Sequence, residues 1–212
     1  MPKNGLFISI EGPDGSGKSS AIQGLATRLS QDGFDLVLTR EPGGSPIAEQ
    51  IRQVILDVNN TAMDPMTEAL LYAAGRRQHL KDTILPALAA GKVVISDRFV
   101  DSSLAYQGVG RNLSQTDIWN INQYAIQGHL PDITLLLDVP AEVGLKRIYQ
   151  ARNQRQFDRL DQEDLSFHNK VRQAFLDLAA DQDRIHVIDA RQAVDQVVED
   201  AFQVLKSSGL LY

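Results

Sequence analysis

The chain has 212 residues, 43% hydrophobic and 23% charged, the composition of an ordinary soluble protein long enough to fill one good core. A net charge of −6 argues against a general nucleic-acid or membrane-surface role, so basic residues that matter must be placed locally. The absence of cysteine excludes disulfides and cysteine-based metal or nucleophile chemistry.

The first element, Leu6–Ile10, is an apolar run that reads as a strand. It leads straight into Gly12-Pro13-Asp14-Gly15-Ser16-Gly17-Lys18-Ser19-Ser20, which fits GxxxxGK[ST]. A helix-forming run with Ala21, Ile22, Leu25, Ala26 and Leu29 follows. Strand before and helix after is the context in which this pattern is a phosphate-binding loop. The glycines let successive backbone N–H groups converge on phosphates, and the helix adds its positive end. Lys18 reaches the outer phosphates and the Ser19 hydroxyl suits Mg²⁺, so Gly12, Asp14, Gly15, Ser16, Gly17, Lys18, Ser19 and Ser20 are assigned to a nucleoside triphosphate.

Beyond the loop, short apolar strands alternate with longer helical patterns. Strands are predicted at Leu36–Thr39, Val93–Ser96, Ile133–Leu137 and Ile185–Ile188. Helices are predicted at Ser45–Leu56, Pro65–Ala89, Ser114–Ile126, Ala141–Ala151, Leu160–Ala180 and Ala193–Lys206. Asp64 suits an N-cap before Pro65, and Pro86 should kink or split the long helix. The alternation implies an α/β fold with a parallel sheet covered by helices on both faces. No N-terminal secretory pattern is present, and no apolar run approaches the ~18 residues of a membrane span, so the chain reads as cytoplasmic.

Ligands in such sheets collect beyond the carboxyl ends of the strands. Polar groups gather there: Thr39-Arg40-Glu41-Pro42-Gly43-Gly44 after the second strand, Asp97-Arg98 after the third, Asp138 after the fourth, and Asp189-Ala190-Arg191 after the fifth. Asp97 suits the metal site beside Ser19, or a cap. Asp138 is followed by Val139-Pro140 and reads as a turn or cap. Arg40 with Glu41 reads equally as a surface ion pair.

The remaining candidates suit a second ligand carrying a base. Tyr72 offers either a stacking face for a pyrimidine or a core aromatic, and helical spacing puts Arg76 over the same face as a donor to a base carbonyl. Gln107 both donates and accepts, as a base edge carrying a donor beside an acceptor requires, with Ser103 four residues before it. The four histidines, His79, His129, His168 and His186, have no ligand spacing and read as structural.

At this point a family resemblance covers the chain from about residue 6 to about residue 192. The segment Asp97-Arg98-Phe99-Val100-Asp101-Ser102-Ser103-Leu104-Ala105-Tyr106-Gln107-Gly108 resembles the signature of thymidylate kinases. So do Thr39-Arg40-Glu41-Pro42-Gly43-Gly44 and Glu68-Ala69-Leu70-Leu71-Tyr72-Ala73-Ala74 leading to Arg76. Arg159-Leu160-Asp161-Gln162-Glu163 resembles the junction between lid and helix in the bacterial members.

The resemblance implies a P-loop NTPase-type three-layer fold with a five-stranded parallel sheet, as one domain over residues 1–212 with a mobile lid at about 148–160. It implies phosphorylation of dTMP to dTDP by Mg-ATP in one direct in-line transfer, a Mg²⁺ cofactor, a homodimer, and no nucleic-acid or membrane partner. It places Arg98 at the transferred or acceptor phosphate, Arg40 near the acceptor phosphate, Arg52 at the acceptor phosphate or sugar side unless it is simply on a solvated helix face, Glu41 near Mg²⁺, Asp14 near the acceptor sugar, and Tyr106 against the 2′ position. Some members carry an arginine where this chain has Gly15, so the missing charge is expected from the polar stretch holding Arg152 and Arg155, with Arg159 held by Asp161 or Glu163. Arg147 is expected against adenine, edged by Ala190-Arg191-Gln192. Two rivals remain: a kinase of another nucleoside monophosphate or of a deoxynucleoside, and a non-enzymatic nucleotide switch. No base-reading Asn-Lys-x-Asp segment supports the switch.

Overall fold

Strand β1 (Leu6–Glu11) is buried along its whole length, because successive side chains face opposite layers and both layers are covered. Leu6, Ile8 and Ile10 join α1 (Lys18–Gln31) and α9 (Val194–Ser207) in one core, through Leu25 and Leu29 on the first helix and Phe202 and Leu205 on the second. Phe7 points the other way and packs with Leu80, Ile84, Phe99 and Ile126. The structure, a computed structural model, describes residues 5–151 and 163–211.

Four further strands run parallel to β1: β2 (Leu36–Arg40), β3 (Val93–Asp97), β4 (Ile133–Asp138) and β5 (Ile185–Asp189). Their order across the sheet is β2-β3-β1-β4-β5, so the chain changes direction around β1. A crevice opens at such a point beyond the strand ends. The register sets Ile10 and Arg40 both level with Asp97, and Asp138 level with Asp189, which collects the polar strand ends on one rim. Each strand extends one residue past its predicted end, because the polar rim residue still belongs to the sheet.

The other layer holds α2 (Pro46–Leu56), α3 (Pro65–His79), α6 (Gln115–Ile126) and α8 (Leu165–Asp181). Asp64 caps α3 by accepting from Thr67 N–H at 2.9 Å, and Asp164 caps α8 by accepting from Phe167 N–H at 2.8 Å. The long helix predicted over 65–89 is split as its proline requires. A π-helical turn, Leu80–Ile84, lies just ahead of Pro86, and α4 (Leu85–Ala89) completes it. The sequence reading assigned no helix to 100–110; there α5 (Val100–Ser103) runs into a π-helical segment, Leu104–Gly110. Helix α7 (Ala141–Ala151) takes in residues 148–151 of the expected lid. The rest of that stretch, with Arg152, Arg155, Arg159 and Asp161, lies outside the described residues.

Candidate active site

The phosphate loop turns on glycines that nothing larger can replace. Gly12 has φ +142°, and a Cβ there would lie 2.4 Å from the Leu137 carbonyl oxygen. Gly15 has φ +76°, and a Cβ would meet the Gly144 carbonyl oxygen at 2.2 Å. The first turns of α7 therefore sit directly on the loop, and this contact is the physical reason the position carries no side chain.

Lys18 is buried at the start of α1, and its Nζ donates to the Gly12 and Pro13 carbonyls at 3.0 and 3.1 Å. Burial pulls its pKa down to about 8, and the nearby Arg98 guanidinium adds to the effect. Ser19 and Ser20 are exposed at the helix start, facing the same space.

That space is a cavity of about 610 Å³ at the carboxyl end of the sheet, within the usual range for small-molecule sites. Asp14, Gly15, Gly17, Lys18, Ser19, Ser20, Arg40, Glu41, Arg52, Tyr72, Arg76, Asp97, Arg98, Ser103, Tyr106, Gln107 and Arg147 all line it. Gly12 and Ser16 lie beneath, as the buried floor of the loop.

Arg98 is the hub. Its backbone has φ +73°, rare for a side chain with a Cβ. Two bonds pin it there: Arg98 N–H donates to Ile10 O at 3.0 Å, and Ser96 Oγ donates to Arg98 O at 2.8 Å. Held so, the guanidinium reaches Gly12 O (3.0 Å), Ser102 Oγ (3.2 Å), Asp14 Oδ1 (2.5 Å) and the Tyr106 hydroxyl (3.3 Å). The Tyr106 hydroxyl donates to Asp14 Oδ2 at 2.9 Å. Burial alone would push the Asp14 carboxyl up, but Arg98, Lys18 and the Tyr106 hydroxyl hold it below the usual carboxylate range. Asp97 Oδ1 is buried and makes no hydrogen bond, a lone anionic oxygen beside Lys18.

The opposite wall is built around Arg76, which is 2% exposed. Its Nε donates to Glu41 Oε2 at 2.7 Å, Nη1 to Ser103 Oγ at 3.0 Å and to Asn122 Oδ1, and Nη2 to Phe99 O at 3.0 Å. These bonds occupy four of the five guanidinium donors and leave one N–H on Nη2 for a ligand. Glu41 lines the cavity, and its buried carboxylate places one oxygen on Arg76 and the other on His79 Nδ1 at 3.0 Å, so it also holds Arg76 in place.

Arg191 is not among the residues lining the cavity, and its guanidinium pairs with Asp189 at 2.6 Å. Arg147 takes the place between loop and β5, donating to Ala190 O at 3.0 Å and more weakly to Gly15 O at 3.4 Å. Arg40 pairs with Glu49 at 2.9 Å, and Arg52 donates to Pro42 O at 2.8 Å, both on the cavity rim. Asp138 is a structural partner of Arg172, which grips it at 2.7 and 2.8 Å.

Sequence reasoning missed Glu11, Glu68, His79 and Asn122. Glu11 accepts from Phe99 N–H (2.6 Å), Ser102 Oγ (2.6 Å) and Ser9 Oγ (3.0 Å), and burial with Asp101 nearby raises its pKa. Its signal was a carboxylate inside an apolar strand immediately before the loop. Glu68 stood in a quoted motif without a role, while His79 and Asn122 meet the site only through tertiary packing.

Cationic groups thus share one cavity, Lys18 and Arg98 both meeting the phosphate loop at the Gly12 carbonyl, with Arg40 and Arg52 on the rim. The sequence pattern of the family described as Thymidylate kinase matches residues 10–201. A thymidylate kinase of Latilactobacillus sakei is 58% identical over 97% of this chain and 97% of its own, and one of Leuconostoc citreum is 55% identical over 96% and 95%. The crystal structure of thymidylate kinase from Ehrlichia chaffeensis superposes with a TM-score of 0.76 at 33% identity, covering 95% of this chain and 99% of that one. With the matched pattern spanning loop, cavity walls and both layers, the chain belongs to the thymidylate kinase family.

Proposed function

We propose that this chain transfers the terminal phosphoryl group of ATP to dTMP in one in-line step, giving ADP and dTDP. The carrying observation is Arg98, held at φ +73° on the cavity wall with its guanidinium bonded to Gly12 O of the phosphate loop and to Asp14. Such a transfer leaves the protein little covalent work and asks for positioning and charge neutralisation. Lys18 holds the outer phosphates of ATP, Arg98 the acceptor phosphate, and Arg40 and Arg52 close the acceptor rim. Arg147 packs beside the adenine, and the outlying Arg191 takes no part in this reading.

Tyr72 stacks on the pyrimidine, Arg76 gives its remaining N–H to the base carbonyl, and Ser103 and Gln107 complete the base edge. Asp14 and Tyr106, bonded to one another, sit against the sugar. Arg152 and Arg155 are proposed to add charge to the triphosphate from the segment beyond α7.

A Mg²⁺ ion fits the unpartnered Asp97 Oδ1 and the exposed Ser19 hydroxyl, with Glu41 lining the same cavity close by. No group of three or more histidine or carboxylate side chains suited to a metal occurs among the described residues, as expected of an ion held mainly by phosphate oxygens and water. When bound it would neutralise charge on the transferred phosphate. A homodimer is proposed through α3 and α6, where Leu70 and Tyr124 are 50% and 84% exposed, whereas Ala73 is used in the core.

ATP carrying a chiral, isotopically labelled terminal phosphate tests the reading. Incubated with dTMP and Mg²⁺, the protein should move the label to dTDP with inverted configuration. Retention would require a phosphorylated enzyme and contradict direct transfer, and no label in dTDP would contradict the function.

A further inference from the structure

The amide of Gln107 has two chemically opposite ends, and which end faces the cavity decides what kind of base edge it accepts. Gln107 lies in the π-helical segment Leu104–Gly110, is 2% exposed, and lines the cavity. Its Nε2 donates to Glu68 Oε1 at 2.7 Å, a contact buried from solvent. Glu68, 1% exposed on α3, does not line the cavity. Arg111 pairs with it at 3.3 Å and bonds Glu163 at 2.6 Å from its other side. An ionised carboxylate only accepts hydrogen bonds, so a glutamine beside it must present nitrogen and not oxygen. Arg111 supplies the charge that makes a carboxylate tolerable at this depth.

We propose that Glu68 is a specificity-determining positioning residue, which locks the Gln107 amide with its oxygen towards the base pocket. The inference rests on the reading of Gln107 as a base contact. A fixed amide oxygen pairs with the N3–H of thymine or uracil, whereas the N3 of cytosine is itself an acceptor and is repelled. Arg76 reinforces the choice, since its free N–H suits a carbonyl and not the amino group of cytosine. A pocket whose polar groups have fixed roles rejects the wrong partner by leaving buried groups unpaired.

The test compares Glu68→Gln and Gln107→Ala with the parent protein, measuring kcat and KM for dTMP and dCMP. In Glu68→Gln the new side chain both donates and accepts, so the Gln107 amide is free to invert. The dTMP-to-dCMP ratio of kcat/KM should narrow by about tenfold or more, mainly through the KM for dTMP, as for loss of one well-placed polar contact. A merely structural role would lower both acceptors in proportion, and that result, or an unchanged ratio, would overturn the inference while Gln107→Ala still weakened dTMP. An unchanged dTMP KM in Gln107→Ala would instead remove the base-contact reading, and the inference with it. Should Glu68→Gln not fold, the intact, isotope-labelled protein decides: a scalar coupling across the hydrogen bond from Gln107 Nε2 to the Glu68 carboxylate carbon is expected, and its absence contradicts the lock.

Discussion

Replacing Lys18 by alanine should lower kcat by about a hundredfold to a thousandfold, the usual cost of removing one group aimed at developing charge, while the fold survives. Its Nζ rests on the Gly12 and Pro13 carbonyls, in the loop where the triphosphate is proposed to bind. The same residue carries a stability signature of opposite sense. Its pKa falls from 10.5 to about 8 on folding, so the fold disfavours the charged form. Below pH 8 that cost is fully present; between about 8 and 10.5 the folded state has lost a proton that the unfolded chain keeps, and stability rises with pH. The rise is roughly 3 kcal/mol for this one group, by linkage. Lys18→Ala should therefore be no less stable at pH 7 and should flatten the rise, as read from urea midpoints across pH 7 to 11. Near-parental kcat in the mutant would sink the assigned role.

Arg98→Ala should cost about a thousandfold in kcat/KM for dTMP, with ATP affinity changed only a few-fold. The guanidinium binds four partners at once, and its loss removes the acceptor-phosphate contact and leaves the Asp14 carboxylate with only the Tyr106 hydroxyl. Arg98→Lys should recover little, because a point charge cannot reproduce a planar fork. Stability should fall by roughly 1.5–3 kcal/mol, the worth of a hydrogen bond to a charged group. Because the folded-state pKa of Asp14 lies below its ordinary value, that contribution is present above about pH 4 and disappears as pH falls through the folded value. Denaturant midpoints at pH 7 and pH 3 should thus differ less in the mutant than in the parent. An unchanged kcat/KM for dTMP would contradict the placement of Arg98 at the acceptor phosphate.

All five strands and the phosphate loop were legible in the sequence, because short apolar runs and a glycine-rich turn are local signals. Strand ends were read one residue short, since Glu11, Arg40, Asp97, Asp138 and Asp189 look like loop residues yet still belong to the sheet. The segment 100–110 escaped a helical reading because its π-helical turn follows no 3.6-residue pattern and contains Gly108 and Gly110. Residues facing the cavity from motifs, such as Arg76, Tyr106 and Gln107, were found; several of the groups holding them were not. Glu68, His79 and Asn122 act across 39, 38 and 46 positions of sequence, a separation that only folding closes. The partners that hold Glu41 and Arg191 were not legible for the same reason: sequence alone does not rank Arg76 and His79 for the first or Asp189 for the second.

ADP release with Mg-ATP fixed and nucleoside monophosphates offered singly tests the central claim most directly. Rapid release dependent on dTMP, weaker release with dUMP, and near-background rates with dCMP and purine monophosphates are predicted. Release at the same rate with every acceptor, or with none, would contradict the assignment of a thymidine monophosphate site opposite the phosphate loop.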